Sequence, residues 1–221
     1  MSLPMEAAGE SLWLLPQGAV WWPAGRTLFA ADLHLGKGAA FRAQGQAVPA
    51  GSSAQTLARL EALAAAHGAA ALVVLGDFWH GRAGLTPPLL AAVTRFAERL
   101  PTTLVLGNHD RPIHPDGLPM RVVDETLTLG PLKAAHEPPP PGHSGFTLAG
   151  HLHPAVALRS RAGDRLRRPC FVHYPHALVL PAFGGLTGAL TLSPADLARQ
   201  GAEVAVLGED RVHWLPRAVI A

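Results

Sequence analysis

The sequence predicts an α/β protein, on three observations along its 221 residues. Short apolar runs alternate with amphipathic helical patterns through the first half, which is typical of α/β architecture. Three of these apolar runs end in a small residue followed by a polar one, the arrangement that parallel strands show where they build a site. After Arg111, short strand patterns follow one another with little helix between them. We therefore expect one domain, residues 1–221, in which βαβ units are followed by a second sheet.

Each helix of the first half carries its own end signals. Ser52 and Gln55 have the spacing of a capping box, and Gly68 suits the position just after a helix C-terminus. Pro88 fits the first turn of the next helix, where its missing N–H leaves no bond unmade. The predicted helices are residues 52–67 and 87–100, and the predicted strands are residues 27–31, 70–75 and 102–106.

The second half is predicted from strand patterns separated by turns. Strands are expected at residues 122–127, 131–135, 146–149, 155–158, 177–180 and 203–207, with a short helix at residues 194–199. Residues 137–145 include four consecutive prolines, and strand signals resume directly after them, so we expect a stiff exposed loop. The loops at residues 38–51 and 112–121 are expected to select the substrate.

Composition excludes several classes of protein. Lys and Arg number 18 against 16 Asp and Glu, and this near balance excludes a protein that binds nucleic acid through bulk charge alone. The single cysteine, Cys170, excludes an internal disulfide framework and a cysteine-rich zinc module. No secretory pattern opens the sequence, and apolar stretches such as residues 69–75 are too short to span a bilayer. We expect a cytoplasmic protein with no membrane association.

Polar residues of metal-ligand type follow the predicted strands. Parallel strands bring their C-terminal ends to one edge of a sheet, so these residues should converge there. Alternate residues of an extended segment point the same way, so His151 and His153 can share one site. The candidate ligands are Asp32, His34, Asp77, Asn108, His136, His151 and His153.

This donor set predicts a site for two metal ions. It offers two carboxylates, four imidazoles and one amide oxygen, without a thiolate, which suits Mn, Fe or Zn better than soft metals or Ca. Seven ligands are too many for one tetrahedral ion but suit two ions that share a carboxylate. Such sites clamp the attacking and leaving oxygens of a phosphoryl displacement.

The order of these motifs resembles the calcineurin-like metallophosphoesterase superfamily. The blocks that carry the resemblance are Asp32-x-His34, Gly76-Asp77, Gly107-Asn108-His109-Asp110, His136 and Gly150-His151-x-His153. Finer features resemble the bacterial ligase-associated DNA damage response phosphoesterases, namely Asp32-Leu33-His34-Leu35-Gly36-Lys37, His136-Glu137-Pro138, Arg168-Pro169-Cys170-Phe171 and Leu180-Pro181-Ala182-Phe183-Gly184. The resemblance implies a four-layer α/β/β/α sandwich of two mixed sheets with flanking helices, the metals lying at one edge.

The resemblance also implies a mechanism and a setting. Asp32, His34 and His153 would bind one metal, Asn108, His136 and His151 the other, and Asp77 would bridge them. Mn²⁺ is the favoured ion, with Fe or Zn as alternatives, and a metal-bridging hydroxide would attack a phosphodiester in line. His109 would protonate the leaving oxygen, with Asp110 holding its ring charged and oriented. DNA repair is the implied setting, with a DNA ligase and a helicase as the implied partners.

His80 departs from the commonest form of the second block, Gly-Asp-x-x-Asp, which has an acid at that position. The nuclease branch of the superfamily often carries His there, and this favours a phosphodiesterase over a protein phosphatase. His80 therefore supports the reaction or contacts the substrate, unless it is an ordinary core histidine.

Further residues are candidates for contact with the substrate. Trp79 lies inside a ligand block and is the best candidate for stacking on a base, whereas Trp21 and Trp22 are expected to pack in the core. Arginine matches phosphate oxygens with two parallel hydrogen bonds. The remaining candidates are Lys37, Arg42, Arg165, Arg167 and Arg168. The alternative for the Arg-rich stretch at residues 159–168 is a solvated β-hairpin that turns at Ala162-Gly163-Asp164, and Lys37 and Arg42 are otherwise surface residues.

Three other functions fit the same motifs. A small-nucleotide phosphohydrolase and a phosphomonoesterase would use the same metal site, and loop sequences do not separate them from a phosphodiesterase. A non-catalytic metal-binding scaffold is the third, although such proteins typically lack the histidine that this chain has as His109.

Overall fold

Two mixed sheets pack face to face at the centre of the protein, and helices cover their outer faces. The computed structural model describes residues 1–159 and 165–216. Its four layers, α/β/β/α, are those that the sequence resemblance implies.

The first sheet has seven strands that follow chain order. They are β1 Leu3–Ala7, β2 Glu10–Leu14, β3 Val20–Trp22, β4 Thr27–Ala30, β5 Ala71–Leu75, β6 Thr102–Val105 and β7 Arg121–Val123. β1 to β4 form an antiparallel meander, and β4 to β7 pair in parallel. The C-terminal ends of β4, β5 and β6 therefore lie at one edge of the sheet.

The second sheet has nine strands. They are β8 Thr126–Leu129, β9 Leu132–Ala135, β10 Phe146–Ala149, β11 Pro154–Arg159, β12 Arg165–Tyr174, β13 Ala177–Val179, β14 Leu190–Thr191, β15 Glu203–Leu207 and β16 Val212–Leu215. Their order is β14-β11-β12-β13-β10-β9-β8, with β15 pairing both β12 and β16. β9, β10 and β13 are parallel, so their C-terminal ends also share an edge.

The helices are α1 Lys37–Ala43, α2 Ser52–His67, α3 Pro87–Arg99 and α4 Pro194–Arg199. α2 and α3 cover the first sheet, where Leu60 and Phe96 are buried in a shared apolar cluster. α4 covers the second sheet through Leu197. Within the described residues, no helix is long and apolar enough to cross a membrane.

The core between the sheets is made of large apolar side chains. Phe29, Leu148 and Phe171 are fully buried there. Burying one such side chain contributes roughly 1.5–3 kcal/mol, so this layer stabilises the sandwich beneath the loops that carry the ligands. Trp21 and Trp22 are buried in β3, as expected.

Several predicted element boundaries need correction. The strand predicted at residues 122–127 is wrong, because β7 and β8 are separate strands in different sheets. The capping box at Ser52 is also wrong: Gly51, with φ of 95°, is the N-cap, and no side chain caps the helix. The loop at residues 38–51 begins as the helix α1. The strands β1, β2, β14 and β16 and the full length of β12 were not predicted.

Candidate metal centre

The seven candidate ligands lie together at one edge of the sandwich, where parallel strands of both sheets end. β4, β5, β6, β9 and β10 lead in turn into Asp32 and His34, Asp77, Asn108, His136, and His151 with His153. Main-chain hydrogen bonds join the neighbouring loops: the Asp32 N–H donates to the Gly76 carbonyl at 3.1 Å, and the His34 N–H to the Asp77 carbonyl at 2.9 Å. These residues therefore lie together at one edge, as their positions after predicted parallel strands indicated.

Two glycines that precede ligands are needed for close approach. A Cβ at Gly76, which has φ of +78°, would lie 2.1 Å from Nδ1 of His136, and a Cβ at Gly107 would lie 2.2 Å from Oδ1 of Asp77. Any larger residue would push these ligands apart. Glycine is therefore needed before Asp77 and Asn108 because a neighbouring ligand packs against it, and not only because the chain turns there.

The first cluster consists of Asp32, His34 and His153. Nε2 of His153 lies 3.4 Å from Oδ1 of Asp32 and 3.3 Å from Nε2 of His34. Nδ1 of His153 donates to the Gly188 carbonyl at 3.1 Å, so Nε2 is the lone-pair nitrogen of the neutral ring. The three ligand atoms lie within 4.8 Å of one another, as the ligands of one ion do.

The second cluster surrounds Nε2 of His136. This nitrogen lies 3.0 Å from Oδ1 of Asn108, 3.0 Å from Nδ1 of His151 and 3.5 Å from Oδ1 of Asp77. Nδ1 of His136 donates to the Leu75 carbonyl at 3.0 Å, which leaves a lone pair on Nε2 of the neutral ring. Lone pairs converging in this way are stabilised by a cation, and the N and O donors are those of a first-row divalent metal.

Asp77 faces both clusters. Its Oδ2 lies 3.8 Å from Nε2 of His34 in the first cluster, while its Oδ1 lies 3.5 Å from Nε2 of His136 in the second. One carboxylate therefore presents one oxygen to each group of ligands. This is the arrangement expected of a bridging ligand between two ions.

The two carboxylates of this edge accept hydrogen bonds from main-chain N–H groups, Asp32 from His151 at 3.0 Å and Asp77 from His109 at 3.0 Å. Asp32 is 0% and Asp77 3% exposed, and across residues 1–159 and 165–216 no Lys or Arg lies within 4.0 Å of either carboxylate. Nδ1 of His34 is buried without a hydrogen-bond partner in the same part of the chain. Buried carboxylates need nearby positive charge, so the residues present fit divalent metal ions.

Backbone strain is concentrated at the ligands. Five of the seven non-glycine residues with positive φ in the described part of the chain are candidate ligands: Asp32, His34, Asp77, His151 and His153. Each such conformation costs on the order of 1–3 kcal/mol and persists where the surroundings enforce it. At φ of 70° and 45°, His151 and His153 are not part of an extended segment, and the alternation predicted for them is wrong. They turn to different clusters instead.

Burial and neighbouring charges shift the pKa values of two ligand histidines in opposite directions. Burial lowers the pKa of His34 to about 2, assisted by the positive charges of His153 and Lys37, so this ring is neutral, as a ligand must be. Burial also acts to lower the pKa of His153, but the hydrogen bond and charge of Asp32 outweigh it and raise that pKa.

His109 lies on the open side of the two clusters. Its Nε2 is 4.0 Å from Oδ2 of Asp77, and its side chain is 41% exposed. Nδ1 donates to the His80 carbonyl at 2.9 Å, and the two rings stack at 5.7 Å. His80 therefore belongs to the pocket, through both its ring and its carbonyl oxygen. The carbonyl's role was not predicted, because main-chain oxygens carry no sequence signal.

Comparison with known proteins identifies the family. The model of the calcineurin-like phosphoesterase family matches residues 25–186, which include all seven candidate ligands. The chain belongs to the calcineurin-like phosphoesterases. It is therefore a hydrolase of phosphoester bonds, in a family that binds divalent metals.

One solved structure is similar over the whole phosphoesterase. The nuclease MPE of Pseudomonas putida is 39% identical, with a TM-score of 0.80, over 97% of this chain and 100% of that one. The phosphoesterase Yfce of E. coli is 17% identical over 86% of this chain and 92% of its own, with a TM-score of 0.38. A predicted phosphoesterase of Streptococcus pneumoniae is 15% identical over 87% and 90%, with a TM-score of 0.32. No curated protein matches the chain.

Asp110 does not orient His109 in this phosphoesterase, and that prediction is wrong. Its carboxylate is 0% exposed and accepts hydrogen bonds from the backbone N–H groups of Gly107, Phe78 and Trp79 at 3.0, 3.3 and 2.9 Å. Burial raises its pKa to about 6, although these N–H groups favour the charged form. Asp110 ties the loop that carries Asp77 to the loop that carries Asn108.

The predicted base-stacking role of Trp79 is also wrong for the phosphoesterase. Its side chain is 0% exposed, so no base can reach it. The indole packs against Phe78 at 4.7 Å, and its Nε1 donates to Nδ1 of His114 at 3.1 Å. Trp79 is a core residue beneath the site, and His114 is its unpredicted partner.

The cationic candidates differ in where they lie. Lys37 is close enough to the centre for its charge to lower the pKa of His34 and His80. Arg42 instead donates to the carbonyls of Val48 and Pro49 at 3.2 and 3.1 Å, within its own loop, and its contact with the substrate stays a prediction.

The Arg-rich stretch lies on two paired strands of the phosphoesterase. β11 and β12 are antiparallel, with Arg159 opposite Arg165, which agrees with the predicted hairpin. Arg161 and the predicted turn at residues 162–164 lie outside the described residues. Arg165 and Arg167 are exposed, whereas Arg168 is only partly exposed.

Proposed function

We propose that this phosphoesterase is a two-metal phosphodiesterase that cleaves the sugar–phosphate backbone of nucleic acid, in the setting of DNA repair. The observation that carries the proposal is the Asp77 carboxylate, which faces one ligand cluster with each oxygen while His109 stands on the open side. The nuclease MPE, similar over its full length, supports the choice of substrate.

The seven ligands would hold two metal ions. Asp32, His34 and His153 would hold one ion, and Asn108, His136 and His151 the other, with Asp77 shared. Divalent cations bound there supply Lewis-acid chemistry, which neutralises charge on phosphate oxygens and lowers the pKa of water. Mn²⁺ is the favoured ion, because imidazole and carboxylate donors without a thiolate suit it.

His109 supplies the proton for the leaving oxygen. Its Nδ1 is committed to the His80 carbonyl, so Nε2 is the nitrogen that exchanges a proton, and that nitrogen faces the pocket. The fixed hydrogen bond holds the ring in one orientation without occupying the reactive nitrogen. General acid catalysis of this kind contributes about 10²–10⁴-fold to the rate.

The space beside the centre favours a diester over a monoester. A groove of about 430 Å³ begins at Asn108 and His136 and continues past Arg111 to the proline-rich loop at residues 137–141. A phosphate monoester carries a single organic group, which leaves the phosphorus in one direction only. A diester continues beyond the phosphorus and can occupy this groove.

The test is a substrate panel on Mn-loaded protein. It compares bis(4-nitrophenyl) phosphate, 4-nitrophenyl phosphate, cyclic nucleotides, and circular single- and double-stranded DNA. We expect turnover of the diester and cutting of circular DNA, both lost in His109→Ala and kept in His213→Ala, which removes an exposed histidine on β16. Preference for the monoester would identify a phosphomonoesterase, and cleavage of cyclic nucleotides without DNA a small-nucleotide hydrolase. If the protein binds two metals but turns over none of these substrates, it is a non-catalytic metal-binding scaffold.

A further inference from the structure

The β11–β12 hairpin stands above the edge that carries the metal ligands. Inside the second sheet, residues 172–174 of β12 pair with β13, whereas residues 165–169 pair only with β11. β13 ends at Val179, opposite Val172 and level with the end of β10. Arg167 and Arg165 are five and seven residues beyond Val172, which places them roughly 16–23 Å past the sheet edge at about 3.3 Å per residue.

The register shows which way the hairpin faces. Arg159 pairs with Arg165, and Ala157 pairs with Arg167, so the three arginines share one face. By the same alternation this is the face of Phe171, which packs between the two sheets. The arginine face therefore looks over the first sheet, where Asp32, Asp77 and Asn108 end their strands. Arg168 lies on the opposite face, with Cys170 and Val172.

The charges on this face lack opposite partners. Arg159, Arg165 and Arg167 are exposed, and none has a carboxylate within 4.0 Å in the described part of the chain. Arg159 and Arg165 are directly opposite each other, and like charges in that position destabilise an antiparallel pair. A ligand with repeated negative charges would remove this repulsion. Guanidinium groups match phosphate oxygens with two parallel hydrogen bonds.

We propose that Arg159, Arg165 and Arg167 bind the phosphate backbone of a nucleic-acid strand on one side of the bond that is cut. The inference rests on the proposed nuclease function and names how its substrate is held. Ala157, opposite Arg167, is four residues after His153, and Arg159 is six, or about 13 and 20 Å along β11. These distances place the arginine contacts several nucleotides from the metal centre.

The test measures binding and cleavage separately. Arg159, Arg165 and Arg167 are changed together to Ala, and fluorescence anisotropy follows a labelled single-stranded oligonucleotide on the Mn-loaded His109→Ala protein with and without these changes. We expect affinity to fall on the order of tenfold and the salt dependence of log K to flatten by about two, for three phosphate contacts. The loss should appear only with oligonucleotides that extend about 20 Å or more beyond the bond that is cut. With His109 intact, turnover of bis(4-nitrophenyl) phosphate should not change.

Two control variants match the change. Changing Arg95, Arg99 and Arg121 to Ala removes the same charge from α3 and β7, and Arg168→Ala alters the other face of the same hairpin; both should keep wild-type affinity. Unchanged affinity and salt slope in the triple variant would overturn the inference, even where diester turnover supports the proposed function. The inference would also be overturned if poly-glutamate, at an equal concentration of charges, displaced the oligonucleotide. The arginine face would then bind acidic polymers in general and not phosphate in particular. Absence of all diester turnover would refute the proposed function, while the binding result would still decide the role of the arginines.

Discussion

The ring of His109 is oriented by the main chain of His80, whose carbonyl oxygen accepts a hydrogen bond from Nδ1 of His109 at 2.9 Å. Carbonyl oxygens only accept, so this contact fixes the tautomer and leaves Nε2 facing Asp77. The neighbouring Asp110 points away into the protein. The proton-transfer role that we propose for His109 therefore depends on the conformation of the loop at residues 76–80.

Replacing His109 separates catalysis from metal binding. We expect His109→Ala to lower kcat for a phosphodiester by about 10²–10⁴-fold, because the proton donor is lost. Metal content, measured by elemental analysis, should stay near wild type, since His109 is not one of the seven candidate ligands, although it lies close to His34 and His80. Equal kcat in the variant would refute the role of this histidine.

Asp77 and His151 should differ in how many ions they affect. Asp77→Asn weakens both sites, because each carboxylate oxygen faces a different cluster, whereas His151→Ala weakens only the cluster around His136. Elemental analysis after dialysis should show both metals reduced in the first variant and one retained in the second. If Asp77→Asn still binds two metals, the Asp77 carboxylate does not bridge the two ions.

Asp110 should matter for stability more than for proton transfer. Asp110→Asn replaces a carboxylate that accepts three backbone N–H bonds with an amide that has one accepting oxygen. We expect a loss of about 2 kcal/mol in the free energy of unfolding, measured with denaturant on the metal-free protein. Asp116→Asn, at an exposed position, is the control and should change stability little. Equal stability of the two variants would show that the loop tie contributes nothing.

Trp79 should behave as a core residue. Trp79→Phe removes the hydrogen bond to His114 and leaves a small void, at a loss of about 1–2 kcal/mol in unfolding free energy. KM for DNA should stay near the wild-type value at a temperature where the variant is folded, because no base reaches the indole. A KM that rises for DNA but not for bis(4-nitrophenyl) phosphate would restore the stacking role.

Local patterns in the sequence predicted most regular elements. α2 and α4 begin and end where the sequence placed them, as do β10 and β15. Their signals are local: Gly68 just after one helix, and short apolar runs between turns. The sequence missed β1 and β2, whose alternating pattern is short, and it joined β7 to β8 across Asp124 because both read as extended.

The sequence alone determined which residues converge, because polar residues at the ends of parallel strands must share an edge. It also determined the donor chemistry, since two carboxylates, four imidazoles and an amide define the metals that suit the site. Only the tertiary structure decided the orientation of these side chains and the partners that they contact. Positive φ angles turn His151 and His153 to different clusters, and Asp110 turns inward to backbone N–H groups. These choices depend on contacts between residues far apart in the chain, such as His109 with His80, which leave no pattern in the local sequence.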